Sequence, residues 1–137
     1  MAGKSDYLEN QVLNAVFRGT TFPVIGTVYI ALFSVAPSAD DGTGGTEFSA
    51  AGYARAAVTS TSANWKDPST ATQGQTNNLF KIVFSVANAP WGTAVAFGAY
   101  DALSGGNLLY WNTMTNIAVN QGDQPLFDLN QLIFSED

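Results

Sequence analysis

The 137-residue chain contains no cysteine and no histidine. The first absence excludes disulfides and thiolate metal sites, so the fold must rest on packing alone and the redox compartment is unreadable. The second absence is more informative. Histidine is the side chain whose unperturbed pKa lies nearest neutrality. Without it no Ser-His-Asp triad, Cys-His pair or imidazole metal ligand can form. Basic residues are scarce too: 5 stand against 11 acidic ones, a net charge of −6. Lys4, Arg18, Arg55, Lys66 and Lys81 are scattered singly, whereas nucleic-acid contact needs clustered cations to displace counterions. Such acidity gives no help at an anionic membrane. No apolar run approaches the roughly 18 residues of a membrane span, and the first residues lack a signal peptide's charged-then-apolar order. The sequence predicts no nucleic-acid partner, no membrane partner and no cofactor.

What is present describes a packed β domain. A folded chain of 14.5 kDa exposes roughly 6,900 Å², enough burial for one self-sufficient core. Trp91 to Tyr110 reads as a strand, a turn and a returning strand. Val95, Phe97 and Ala99 alternate with Ala94, Ala96, Gly98 and Tyr100, a period of two. Ser104-Gly105-Gly106-Asn107 supplies residues that tolerate a sharp reversal. Leu108 to Trp111 is a near-continuous apolar run, the mark of a strand buried on both faces.

Residues 6–18 form the one good helix pattern. Asp6 and Glu9 fit a capping box at the positive end of the dipole, and Gly19 offers the stop. Leu8, Val12, Leu13, Val16 and Phe17 share a side at helical spacing. Such a helix either covers the chain's own sheet or docks on a neighbouring subunit. Strands are expected at Thr27–Ser34, Tyr53–Thr59, Leu79–Val86, Thr113–Val119 and Leu126–Phe134. A short one near Ala63–Lys66 would break up the long polar segment 60–78, with Trp65 pinning it to the core. The loop 38–46 reads as solvated and mobile. These short strands and turns, without repeat or linker, predict a mainly β, single-domain antiparallel β-sandwich of jelly-roll type over 1–137, with one N-terminal amphipathic α-helix. Phe33, Phe84, Phe97 and Leu109 are expected in one core cluster.

Chemistry is sparse. Glu47, Asp67, Asp101, Asp123 and Asp128 could pair for acid–base work, yet they fall mostly at turns, where Asp hydrogen-bonds its own backbone. Asp40-Asp41-Gly42 invites calcium, but the spacing fails the EF-hand pattern. Thr43-Gly44-Gly45-Thr46 lacks the lysine of a phosphate loop. Ser104 has neither the glycine before it nor a base. No catalytic, cofactor or metal residue is assigned, and the chain is expected not to be an enzyme. Trp65, Trp91, Trp111 and the tyrosines could form a sugar platform, although such aromatics serve equally as core. Arg55, among apolar neighbours, should pair with Glu47 or Asp101 unless it is a solvated edge residue.

The residues at 7–135 resemble a family of short tailed-phage virion proteins commonly labelled tail fibre proteins. The marks are the opening helix Tyr7–Thr20, Tyr29–Phe33 with Pro37, Gly45-Thr46-Glu47, Gly52–Arg55, Trp91-Gly92, Asp101 through Tyr110, and Gly122-Asp123. Before Asp101, where members often carry Gly-Ile-Phe, this chain has Phe97-Gly98-Ala99-Tyr100. The resemblance implies a non-enzymatic structural protein of the virion. Long fibres are trimeric and repetitive; a short, acidic, unrepeated domain suits a capsid decoration or cement protein on the outer surface better. The alternatives are a tail or tail-fibre component in host attachment and a carbohydrate-binding β-sandwich module. Expected partners are the major capsid protein or other virion subunits, with the chain a homo-oligomer or in many copies on a lattice. It would pass through the host cytoplasm during assembly. Candidate structural or interaction residues are Leu8, Val12, Val16, Arg55, Trp65, Trp91 and Asp101.

Overall fold

The computed structural model describes residues 3–70 and 73–136. The elements follow in the order β1 (Gly3–Lys4), α1 (Asp6–Arg18), β2 (Thr27–Val35), β3 (Thr46–Glu47), β4 (Ala56–Thr59), β5 (Gln75–Asn77), β6 (Ile82–Val83), β7 (Gly92–Tyr100), β8 (Leu108–Val119), β9 (Leu126–Phe127) and β10 (Ile133–Ser135). The expected mainly β, antiparallel class with one helix is what the chain adopts. A six-stranded sheet runs β1-β8-β7-β2-β3, with β4 also on β2. β4 takes the first half of that β2 edge, Thr27 to Ile30, and β3 takes the end from Phe33. The small ribbons β5–β10 and β6–β9 form the opposing layer, their Ile82, Phe127 and Phe134 packing on Ile30, Leu32 and Phe97 of the main sheet.

The β7–β8 hairpin is the spine, as its pattern predicts, but its register slips. Ala94 pairs with Ile117 and Ala96 with Thr113, so Val95 alone lies opposite three residues of β8. A bulge of this kind reverses the alternation. Ala94, Phe97 and Ala99 join the main core, whereas Val95, Ala96 and Tyr100 face a second cluster with Ala31 and Phe33. This corrects two expectations. Val95 does not share a face with Phe97, and Phe33 lies across the sheet from Phe84 and Phe97. Leu109 is buried but sits in the irregularity between the Ala99 and Tyr100 pairs. β8 also runs unbroken through Thr113–Val119, two expected strands being one.

Helix α1 forms over the expected residues, but Ser5 is its cap, accepting from the Leu8 N–H at 3.2 Å. Ser5 is buried and donates its hydroxyl proton to the Leu108 carbonyl, which ties the helix start to β8. The loop 38–46 is not free. Ser38 N–H donates to Thr43 O at 2.8 Å, Asp6 N–H to Asp40 O at 3.2 Å, and Trp111 Nε1 to Asp40 Oδ1 at 3.3 Å. The loop is thus fastened between the helix start and β8.

Elsewhere side chains replace ladders. Leu79–Val86 shrinks to β6, and Leu126–Phe134 splits into β9 and β10 around Asn130, whose φ is 64°. The cause is Asn78, fully buried. Its Nδ2 donates to Phe80 O at 2.7 Å and Asp128 O at 2.8 Å, while its Oδ1 accepts from Leu132 N at 3.0 Å. The split leaves Leu129 exposed and buries Leu132. In the polar segment 60–78, Ala71 and Thr72 lie outside the described residues; Gln75–Asn77 forms β5, and Trp65 makes a lone bridge to Asn78 rather than a strand.

Phe97 is the centre of the main core, 5.7 Å from the Phe127 ring and 6.1 Å from that of Phe134. Phe97→Ala should cost about 3–5 kcal/mol through lost transfer energy and the cavity left behind. In a domain of this size that lowers the thermal midpoint by about 10 °C or more, readable by calorimetry. An unchanged midpoint would remove the hairpin from the centre of the fold.

Candidate functional site

The densest polar arrangement gathers where β3, β4 and the β7–β8 loop meet. Arg55 precedes β4 and Glu47 ends β3, and both strands lie along the same edge of β2, so the two side chains converge. Arg55 Nε donates to Glu47 Oε1 and its Nη2 to Glu47 Oε2, both at 2.8 Å. This two-pronged geometry matches a planar guanidinium to a carboxylate. Asp101, the other expected partner, is not used. The remaining Nη1 donates to the Ala102 carbonyl at 2.7 Å and the Gly105 carbonyl at 2.8 Å. The guanidinium also lies 3.6 Å from the Tyr100 ring centroid, a cation–π contact. Arg55 is 8% exposed, so it is not a solvated edge residue.

Tyr53 completes the junction. Its hydroxyl donates to Glu47 Oε1 at 2.7 Å and accepts from Leu32 N at 3.1 Å. Its ring meets Trp91 edge-on at 5.3 Å, and Trp91 Nε1 donates to Ala51 O at 3.0 Å. Burial, with the neighbouring Glu47 carboxylate, raises the Tyr53 pKa far above its ordinary value. Burial likewise raises Tyr100, with Glu47 adding to the rise and the Arg55 charge working against it. For Arg55 itself, desolvation works against the charge, but Glu47's hydrogen bonds and charge more than offset it and hold the pKa above its ordinary value.

Asp101 closes the hairpin loop instead. Its Oδ1 accepts from Asn107 N at 2.6 Å and its Oδ2 from Asn107 Nδ2 at 2.8 Å. Gly106 sits at φ 73°, and a Cβ there would fall 2.6 Å from that of Ala102. The loop is therefore fastened at its neck by Asp101 and beneath by Arg55, leaving Leu103 exposed at its tip.

A second feature lies between the main sheet and the β5–β10 ribbon. A groove of about 1010 Å³ is walled by Val28, Trp65, Leu109, Tyr110 and Phe134, with Lys66, Asp67 and Glu136 on its rim. The Phe134 ring stands 5.7 Å from Trp65 and 5.3 Å from Tyr110. Tyr110 donates its hydroxyl proton to Glu136, whose other oxygen takes Lys4 Nζ at 2.6 Å. Burial, reinforced by Glu136, raises the Tyr110 pKa above its ordinary value.

The expected site residues thus divide. Arg55, Trp91 and Asp101 come together through Tyr53 and the loop, while Trp65 lies at the groove. Leu8, Val12 and Val16 stay with the helix, where Leu8 is buried, Val12 half-buried and Val16 exposed. Sequence reasoning missed Tyr53, Tyr100, Tyr110 and Glu136. The one available signal was Tyr53 standing two residues before Arg55, on the same side of an extended chain. The carboxylates weighed for catalysis are each engaged: Glu47 by Arg55, Asp67 by Ser69, Asp101 by Asn107, Asp123 by Asn120, Asp128 by Leu129. Asp41 of the suspected calcium loop accepts from Thr43 N and Oγ1, which lowers its pKa.

Residues 3–135 match the protein family described as podophage GP4 fiber I protein gp80. The chain belongs to that family. It is therefore a structural protein of a phage virion, and the match takes in the helix, both sheet layers, the Arg55 junction and most of the groove wall. No curated protein matches it.

Arg55→Ala should destabilise the fold by about 2–4 kcal/mol, somewhat below a fully buried pair because Glu47 keeps some access to water. Arg55→Lys keeps the charge but loses the fork, so rescue should be partial, with faster amide exchange over 102–106 in both variants. Wild-type urea unfolding for Arg55→Ala would show that the pair adds nothing net.

Tyr53, Tyr100 and Tyr110 hold their protons more tightly folded than unfolded. The stability they contribute is complete below the ordinary tyrosine pKa of about 10 and declines as pH rises beyond it. An ultraviolet titration of the folded chain should show Tyr53, Tyr100 and Tyr110 ionising later than the ordinary tyrosine range near pH 10. Ionisation of these three there, with the fold intact, would contradict the burial described.

Proposed function

We propose that the chain is a component of the podophage tail fibre apparatus, a non-enzymatic β domain acting through protein contact in host attachment or in fibre assembly. The observation that carries this is the match to a fibre I protein family over residues 3–135. It favours the tail over the outer capsid shell, the location that compactness and acidity had suggested. The absence of cysteine and histidine, with the carboxylates engaged by turns and by Arg55, supports a role without catalysis. Exposed loops on rigid frames are where binding surfaces concentrate, and the clamped 101–107 loop is such a surface.

Purified virions provide the test. Cryo-electron microscopy, or gold-labelled antibody against the chain, should place it at the tail, in tens of copies or fewer per particle. Density tiling the capsid shell, with a gel band of the same order as the major capsid protein, would overturn the fibre reading and restore the cement one.

A further inference from the structure

The groove between the main sheet and the β5–β10 ribbon has no part in the fibre reading as it stands. At about 1010 Å³ it lies at the upper end of the size range of small-molecule sites. Its depth is apolar: Ala99, Leu109 and Phe134 line it, and all three are buried. Its walls are aromatic, with the Phe134 ring between those of Trp65 and Tyr110. Its mouth carries mostly neutral hydrogen-bonding side chains, Ser62, Ser69 and Gln73 among them, all exposed. The frame is fixed in advance. Glu136 N–H donates to Gly74 O at 2.8 Å, and the Glu136 carboxylate is held by Tyr110 and Lys4. One wall residue is incomplete: the Trp65 indole N–H is buried and has no acceptor among the described residues, a state that native folds seldom leave without an outside partner.

This combination narrows the occupant. A nucleotide or other strong anion would meet Asp67 and Glu136 at the rim of a chain whose net charge is −6, with Lys66 set against them. A peptide adding a strand needs an open sheet edge, and β5 offers none. β10 pairs along one side of it; on the other, Trp65 bridges Asn78 and Lys66 N–H donates to Asn77 O at 3.0 Å. A purely apolar chain would leave the polar mouth unused. A saccharide uses all three layers. The C–H faces of its rings pack on aromatic walls, its hydroxyls exchange water for a neutral polar rim, and an acetamido methyl group fills an apolar floor.

We propose that this groove is a carbohydrate site for an oligosaccharide of N-acetylated hexosamines, with sugar rings against Trp65 and Tyr110 and acetamido methyl groups turned toward Leu109 and Phe134. The proposal deepens the attachment reading above and rests on it for its setting on the phage.

The isolated chain, labelled with nitrogen-15 and titrated with triacetylchitotriose, should show saturable shifts at groove residues, the Trp65 indole among them, with the 101–107 loop unmoved. Cellotriose, the same backbone without the acetamido groups, should bind about tenfold more weakly or worse. Trp65→Ala should weaken triacetylchitotriose by about tenfold or more. Trp65 also packs on the core, so the wild-type titration decides even if that variant misfolds. No saturation by tens of millimolar, equal binding of the two sugars, shifts centred away from the groove, or saturation by decanoate in place of the sugar would each overturn the proposal. A negative titration leaves the tail location standing, and density on the capsid leaves a measured groove affinity standing, so the two readings fail separately.

Discussion

The central strand pair is buried on both faces, and the rest of the chain is arranged to meet that condition. Ile30, Ala31, Leu32 and Phe33 of β2 face Ala96, Phe97, Gly98 and Ala99 of β7, and all are buried. A sheet packed on one side could leave alternate residues in water; this pair cannot. One face takes the large aromatic core and two short ribbons. The other is thin, and it is kept thin by small residues. A Cβ on Gly98 would fall 2.9 Å from the Phe33 ring, so Ala31, Ala96 and Gly98 leave room for that one ring to fill the cluster.

Covering two faces with 137 residues leaves little chain for regular structure. The second layer consists of strands of two or three residues, too short to hold their register by ladder bonds alone. Asn78 does part of that work. It bonds three separate backbone segments through one side chain, satisfying itself as a buried amide must. Removing it would leave several buried peptide groups unpaired at once, a larger effect than the loss of any single ribbon bond.

Legibility in the sequence followed the range of the interactions involved. The helix was readable because its period, its acidic first turn and Gly19 are all local. So were β2 and the hairpin, where apolar density leaves few other readings. The pairing of Arg55 with Glu47 or Asp101 could be named because a lone cation among apolar neighbours needs a partner; which acid it takes depends on β3 and β4 sharing one edge of β2. The Val95 bulge was not legible, since nothing in Ala94-Val95-Ala96 marks a slip that is set by β8. Nor was the division of the last strand, which depends on Asn78 some fifty residues earlier. The loop 38–46 looked mobile from glycine and aspartate content, yet the same short side chains are what allow it to lie close against the helix start and Trp111. Location in the particle was the least legible property. Acidity and compactness describe many outward-facing domains, and it took the family match to favour the tail.

The grip of Arg55 on the hairpin loop has a consequence for variation. The guanidinium holds the carbonyls of Ala102 and Gly105, groups that every amino acid carries. Exchanging Leu103 or Ser104 therefore leaves the clamp untouched, while exchanging Arg55 frees the underside of the loop and leaves only Asp101 holding its neck. What the loop displays is thus separated from what holds it, so its tip can diverge between relatives on an unchanged frame. Because the backbone there is already held, any contact made by a side chain at 103 would need no prior immobilising of a flexible segment, which otherwise weakens association. The tip is thus the part of the hairpin most open to single substitutions.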